Sequence, residues 1–272
     1  MKKLQVVLIG IGIASVAGLY LLPKVVVDNE ATGAKMEAGA EATSTISESH
    51  ENTLSSQNRA QAEQLLNQFR TAPSVEEKVA AAQVLAGIYK EEGIFDSAAY
   101  YWTEASILWP ENLFLIEEAG KANYDAFSFA LDKNKVEMLA EKTRSFLNKV
   151  LEKDPTRLDL KSKIAMTYVS SANPMQGITL LREILEADPK NEDGLFNMGV
   201  LSMQSGQYDR AIGRFEELVK AHPQNIQGQF YLGVSYFESK EKNKAKAQFE
   251  LVKKMTQDPM ILESIQGYLD QL

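Results

Sequence analysis

Proline residues recur at a fixed spacing in the C-terminal half of this 272-residue chain. The dipeptides Asp154-Pro155, Asp188-Pro189 and His222-Pro223 each lie 34 positions after the one before. The residues between them match column by column, with a large apolar column at Leu181, Phe215 and Phe249 and a small column at Gly177, Ala211 and Ala245. A fixed period of this length indicates a stacked array of helix pairs, because one pair alone cannot bury both of its apolar stripes.

Further columns follow the same period. They contain Ile164, Met198 and Leu232, then Ala165, Gly199 and Gly233, and then Tyr168, Ser202 and Tyr236. This arrangement resembles the tetratricopeptide repeat family, whose units are antiparallel helix pairs. The resemblance covers roughly residues 75–272 and implies an all-α, right-handed superhelical solenoid.

The pattern divides the chain into three segments. We expect a membrane anchor or signal at residues 1–27, a flexible linker at 28–55 and the repeat array at 56–272. Within the array we expect repeats at about 79–112, 113–157, 158–191, 192–225 and 226–259, with capping helices at 56–70 and 260–272. The unit at 113–157 is irregular, because Pro110 and Pro155 lie 45 positions apart, 11 more than the period. Longer helices joined by a turn at Asp132-Lys133-Asn134 would accommodate this surplus.

An uncharged run extends from Leu4 to Leu22 and is followed by Pro23-Lys24. A helix of this length spans about 28 Å, close to the thickness of a bilayer core. We therefore expect a single N-terminal transmembrane helix; a cleaved signal is the alternative, because Ser15-Val16-Ala17 resembles a peptidase site. Lys2 and Lys3 favour a cytoplasmic N-terminus. In a bacterium, the array would then be periplasmic and anchored in the inner membrane.

The segment from Asp28 to about Ser55 is rich in Ala, Thr, Ser, Gly and Glu, which predicts a disordered tether. The chain has a formal net charge of -8 and no cysteine. Setting aside residues 1–27 leaves 26 basic and 37 acidic side chains, a balance of -11. This acidity disfavours a nucleic-acid partner, and the lack of cysteine excludes disulfides and thiolate chemistry.

No constellation of catalytic residues is evident in the sequence. The two histidines, His50 and His222, fall in the tether and in a repeat loop. The adjacent carboxylates at Glu91-Glu92, Glu117-Glu118 and Glu216-Glu217 do not face each other on a helix, and we expect them to be solvated. The sequence therefore predicts no enzymatic activity, cofactor, metal or small-molecule substrate.

The family resemblance implies that the first helix of each pair lines a concave face. Mapping that face onto this sequence gives a candidate groove formed by Phe114, Tyr124, Met166, Val169, Phe196, Val200, Met203, Phe230, Val234 and Phe237. We expect these side chains to form a partly exposed apolar groove for an amphipathic helix or extended peptide; the alternative is burial between helices. One subgroup of the family binds terminal carboxylates through lysine and asparagine, and here Ser162 and Met166 occupy those columns. A terminal carboxylate is therefore not expected to be the main group that the array recognises.

These features predict a membrane-tethered scaffold that binds protein partners, themselves membrane-associated, in the cell envelope. Membrane attachment would be through residues 4–22. Two alternatives remain open at this point. One is a cytochrome c maturation factor that holds unfolded apoprotein, and the other is a structural homo-oligomer.

Overall fold

The computed structural model describes residues 54–272, and this part of the chain contains twelve α-helices and no β-strand. They are α1 (Ser56–Thr71), α2 (Val75–Glu91), α3 (Phe95–Leu108), α4 (Leu113–Phe129), α5 (Lys133–Leu151), α6 (Leu158–Val169), α7 (Pro174–Ala187), α8 (Glu192–Gln204), α9 (Tyr208–Ala221), α10 (Ile226–Glu238), α11 (Lys242–Met255) and α12 (Pro259–Leu269). The transmembrane helix expected at residues 4–22 and almost all of the tether expected at 28–55 lie outside the described residues. None of the twelve helices combines the length and apolar character needed to cross a membrane.

The helices pack in sequence order. The pairs α2–α3, α4–α5, α6–α7, α8–α9 and α10–α11 each contact the next pair along the chain, while α1 packs on α2 and α12 on α11. The first helices of successive pairs also contact one another directly, α4 with α6, α6 with α8, and α8 with α10. The prediction of an all-α solenoid of stacked helix pairs is therefore confirmed. We call the surface that α4, α6, α8 and α10 share the inner face.

The repeat columns form the core of the array. Leu181, Phe215 and Phe249 are fully buried, as are Ala211 and Ala245 in the small column. Burial of the large side chains removes apolar surface from water, and the small residues let the two helices of a pair approach closely.

Gly177 occupies the small column at a close approach of α6 and α7. A Cβ atom at this position would collide with the carbonyl oxygen of Ala165 and the backbone nitrogen of Val169. The two helices α6 and α7 therefore approach more closely than an alanine at residue 177 would allow, although the same column contains alanine at Ala211 and Ala245.

Turns and caps follow from local sequence. Gly93 and Gly206 adopt positive φ values of 77° and 70° between the helices of their pairs, as expected for glycine. The Ser74 hydroxyl accepts a hydrogen bond from the Glu77 amide and so caps the N-terminus of α2. His222 Nε2 donates to the Lys190 carbonyl oxygen across 2.7 Å, so this histidine joins two inter-repeat loops.

The irregular unit accommodates its surplus residues in longer helices. The helices α4 and α5 contain 17 and 19 residues, compared with 12 to 14 in the helices of the three later pairs. The connecting turn is shifted from the predicted Asp132-Lys133-Asn134 to residues 130–132. The reason is that Asp132 Oδ1 accepts a hydrogen bond from the Lys135 amide at 2.9 Å, so Asp132 is the N-cap and Lys133 already begins α5.

The two ends of the described array are closed by single helices. Ala62 and Leu66 of α1 are buried, and Ser55 Oγ donates to the Glu92 carboxylate at 2.6 Å. At the other end, Ile261 and Ile265 of α12 are buried. Glu263, Gln266 and Asp270 of the same helix are exposed, so α12 covers the last pair with a polar outer surface.

Candidate protein-binding face

Three first helices meet at a polar cluster on the inner face. The Lys163 ammonium of α6 lies 4.7 Å from the centroid of the Tyr124 ring on α4, an arrangement that favours cation–π attraction. Asp193, near the start of α8, interacts electrostatically with both residues. We call Tyr124, Lys163 and Asp193 the inner polar cluster.

The electrostatics of this cluster reflect its position among several helices. Burial raises the pKa of Tyr124 to about 12, and the Asp193 carboxylate adds to the effect. Desolvation also raises the pKa of Asp193, with Lys163 acting in the opposite direction. The Asp193 side chain remains accessible, yet protein on several sides displaces water around its carboxylate. Charged groups on a ligand would therefore be screened less here than at an open surface.

A second charged network fixes α6 relative to α4. Arg157, just before α6, donates to both oxygens of Glu117 on α4 at 2.9 and 2.7 Å, and to both oxygens of Asp159 at 2.9 Å. These bonds raise the pKa of Arg157 and hold the pKa values of Glu117 and Asp159 below their usual range. Lys121 also contacts Glu117 at 2.5 Å. Glu117 was expected to be solvated, but its ion pairs and 16% side-chain exposure show a structural role.

Aromatic rings dominate the C-terminal part of the inner face. Phe196 of α8 packs edge-on against Tyr231 of α10, with ring centroids 5.5 Å apart. Phe237 of α10 packs similarly against Tyr268 of α12 at 5.1 Å. Burial raises the pKa of both tyrosines. We call these four partly buried rings the inner aromatic cluster.

The ten residues of the candidate groove fall into three groups. Phe114 is the most open, with 57% of its surface exposed. The partly buried group consists of Tyr124, Met166, Val169, Phe196, Val200, Met203 and Phe237. Phe230 and Val234 are only 6% and 5% exposed. Phe230 packs against Phe249 and Tyr268, so it is a core residue beneath the terminal helix, and no partner could reach it without displacing that packing.

Several inner-face residues were not predicted from the sequence. Tyr231, Lys163 and Asn197 occupy one repeat column, directly after the column that contains Phe230, Ser162 and Phe196. Asn197 Nδ2 donates to Ser162 Oγ at 3.0 Å, so this column bridges α8 and α6. The signal was present in the period, since equivalent positions in successive repeats must face the same neighbours.

The chemistry of the described residues gives no indication of a metal centre. Between residues 54 and 272, no group of three or more His, Asp, Glu or Cys side chains is arranged to hold a metal ion. The inner face instead presents aromatic rings and a few charged groups.

Comparison with known proteins supports the fold. Residues 202–262 match a family model described as tetratricopeptide repeat, whereas a comparison with curated proteins found no match. A tetratricopeptide repeat protein from Parabacteroides merdae is 18% identical, with a TM-score of 0.58 over 83% of this chain and 84% of that chain. A thermophilic repeat protein from Thermus thermophilus is 12% identical, with a TM-score of 0.55 over 70% of this chain and 98% of its own. The described part of this chain thus has the helical solenoid fold of tetratricopeptide repeat proteins.

Proposed function

We propose that the protein is a non-enzymatic scaffold that binds an extended or helical segment of another protein along its inner face. The observation that carries this proposal is the meeting of three first helices at the inner polar cluster, beside a row of incompletely buried aromatic rings. Phe114 provides an exposed ring at the N-terminal part of this face. Aromatic side chains with accessible surface favour protein contacts, because docking removes their apolar area from water.

The charges of the inner polar cluster would select and orient the ligand. Lys163 and Asp193 present opposite charges on neighbouring helices. A bound segment that places an acidic group near Lys163 and a basic or amide group near Asp193 would match both charges. Such complementarity contributes specificity and orientation more than raw affinity.

Membrane tethering is part of the same proposal, and its support is the sequence of residues 1–27. An uncharged run at 4–22 behind two lysines favours an inner-membrane anchor with the array on the periplasmic side. Such a tether would raise the effective concentration of the inner face near membrane-associated partners.

Site-specific photo-crosslinking in intact cells tests the binding face. A photoreactive phenylalanine analogue placed at Phe114 is expected to crosslink a discrete partner that mass spectrometry identifies. The matched control is the same analogue at Met175, which is 59% exposed but lies on the second helix α7. Equal crosslinking from both positions would argue against an inner binding face.

A charge reversal provides the second arm. The double variant Lys163→Glu and Asp193→Lys exchanges the two charges without altering their sum, and it is expected to weaken the Phe114 crosslink while circular dichroism remains unchanged. Undiminished crosslinking by the folded double variant would show that the inner polar cluster does not contribute to binding. Removing residues 1–27 separately tests tethering, because the protein should then leave the membrane fraction.

A further inference from the structure

A cleft of about 490 Å³ opens between α7 and α9, with α8 as its floor. Its described lining includes the apolar residues Ile178 and Met198, together with Ser202, Arg182, Arg210 and Arg214. We call it the outer cleft, because it lies between the second helices of two pairs rather than on the inner face. Comparison with the equivalent positions of the next repeat explains why the cleft is open.

The next repeat shows what normally occupies this position. There, the Tyr236 hydroxyl donates to Glu216 Oε1 on α9 at 2.6 Å, and the Lys244 ammonium on α11 lies 5.1 Å from the ring centroid. Tyr236 is 8% exposed, so the ring fills the space between the repeats.

Each of these three positions has an equivalent 34 residues earlier in the outer cleft. Ser202 stands in place of Tyr236, Arg182 in place of Glu216, and Arg210 in place of Lys244. The Ser202 hydroxyl donates back to the Met198 carbonyl oxygen at 2.8 Å and cannot replace a ring. The outer cleft is thus the space that a tyrosine ring occupies in the following repeat.

Two further observations set this repeat apart. In the preceding repeat the tyrosine is present, and the Arg144 guanidinium carbon lies 4.7 Å from the centroid of the Tyr168 ring. Gly213 also lines the outer cleft, and a Cβ atom there would meet nothing within 4 Å, so the absence of a side chain at this position widens the cleft. The cleft has room for a ring from outside the array.

The charges of the cleft define what that ring must carry. Among its described lining residues, three are arginines and Glu217 is the sole acid, in a chain whose net charge is -8. Arg214 pairs with Glu217 at 3.2 Å, whereas Arg210 donates to the neutral Gln207 side chain at 2.6 Å. In the next repeat, the Glu216 carboxylate accepts a hydrogen bond from the tyrosine hydroxyl. Arg182, at the equivalent position of the outer cleft, can only donate hydrogen bonds. An occupant must therefore supply hydrogen-bond acceptors, and carboxylates bind guanidinium groups most strongly.

We infer that the outer cleft binds an aromatic side chain of a partner protein segment in which acidic residues flank the ring. The ring would replace the missing tyrosine against Ile178 and Met198, and the flanking carboxylates would pair with Arg182 and Arg210. The segment 28–53 of the same chain carries acidic residues but no Phe, Tyr or Trp, so it does not supply such a ring. This second surface is separate from the inner face of the proposed function.

Synthetic peptides test the inference with the full chain in detergent. The probe is the unlabelled peptide Gly-Glu-Phe-Glu-Gly, acetylated at its N-terminus and amidated at its C-terminus, and isothermal titration calorimetry measures its binding. Two matched probes replace the phenylalanine by alanine, or both glutamates by lysine. The first probe is expected to bind about tenfold or more tightly than either matched probe, since each lacks one of the two recognised features.

Variants locate the binding. Ser202→Tyr returns the ring to its column and is expected to abolish binding of the first probe. Should that variant fold poorly, the double variant Arg182→Gln and Arg210→Gln keeps the cleft open and is expected to weaken binding at least about tenfold. Lys246→Gln, at an exposed position of α11, is the matched charge control and should bind as the wild type does.

The possible results separate this inference from the proposed function. Lys163→Glu on the inner face should leave binding of the first probe unchanged. Absence of binding at millimolar peptide, equal binding of all three probes, or undiminished binding by folded Ser202→Tyr would each overturn the inference, and none of these results bears on the inner-face crosslink.

Discussion

The hydroxyl of Tyr236 donates a hydrogen bond to the Glu216 carboxylate across 2.6 Å and so ties α10 to the preceding helix α9. Burial raises the pKa of Tyr236, and the bonded carboxylate raises it further. The phenol is therefore protonated at neutral pH and remains a donor. The contact joins two successive repeats, which is where a solenoid gains its cooperativity.

Removing this hydroxyl should weaken the junction between the repeats. Tyr236→Phe is expected to lower the free energy of unfolding by about 0.5–1.5 kcal/mol, because the bond is lost while exposed Glu216 regains water. Urea denaturation followed by circular dichroism measures the change. Tyr168→Phe is the matched control from the same column, where the ring packs on Arg144, and it should cost less than about 0.5 kcal/mol. Equal losses in both variants would show that the Glu216 bond contributes nothing specific.

Gly177 provides a test of helix approach. An alanine at this position would push against the backbone of Ala165 and Val169, so α6 and α7 must separate. We expect Gly177→Ala to cost about 1–3 kcal/mol, as overpacking does in a tight interface. Gly87→Ala is the matched control, because a Cβ there meets nothing within 4 Å on an exposed part of α2. The control should stabilise the protein by about 0.5–1 kcal/mol. Thermal denaturation of both variants decides between close packing and simple helix propensity, which would stabilise both.

Much of the fold could be predicted from the sequence because the repeat constrains each position several times over. Phe215 is predicted to be buried by its own helical pattern and also by its equivalents Leu181 and Phe249. All three are fully buried. The Asp132 turn was placed less accurately, because the irregular unit has no second copy against which to align it. Its N-cap bond to the Lys135 amide decides the boundary, and an aspartate in a turn has several such partners available.

The candidate site was harder to predict than the fold. Periodicity identifies which helix face points inward, but it does not show how far the next helix covers that face. Phe230 and Val234 share columns with partly exposed Phe196 and Val200, yet both are buried. Packing of Phe230 against Tyr268 of α12 accounts for the difference at its ring. That coverage depends on the tertiary position of a capping helix, which repeat columns do not encode.

Phe215 supports part of the inner aromatic cluster. Its ring is fully buried, with the Phe196 ring 6.0 Å away and the Tyr231 ring 5.8 Å away. Phe215→Ala is expected to cost about 3–5 kcal/mol, from lost burial and the resulting cavity. Ile107→Ala, at a site 63% exposed, should change stability by less than about 0.5 kcal/mol. Urea denaturation measures both variants, and a small effect at Phe215 would contradict the repeat register.

Arg157 should make stability depend on pH in a defined direction. Its bonds to Glu117 and Asp159 lower the pKa of each carboxylate from the ordinary values of 4.5 and 3.8. A carboxylate whose pKa is lower in the folded state contributes stability above its unfolded pKa and loses it as pH falls through the folded value. The contribution of these pairs is thus complete at neutral pH and declines below about pH 4.5.

Arg157→Gln is expected to lower the free energy of unfolding at pH 7 by about 0.5–1 kcal/mol, since these side chains are 16% to 46% exposed and solvent screens the pairs. Lys121 remains beside Glu117 in the variant and limits the loss. The difference between variant and wild type should shrink as pH falls from 4.5 towards about 2, because both carboxylates become protonated in either protein. Urea denaturation at several pH values measures this difference, with Lys254→Gln at an exposed position of α11 as a charge control. A difference that persists unchanged at pH 2 would mean that Arg157 stabilises the α4–α6 junction through packing of its aliphatic stem instead.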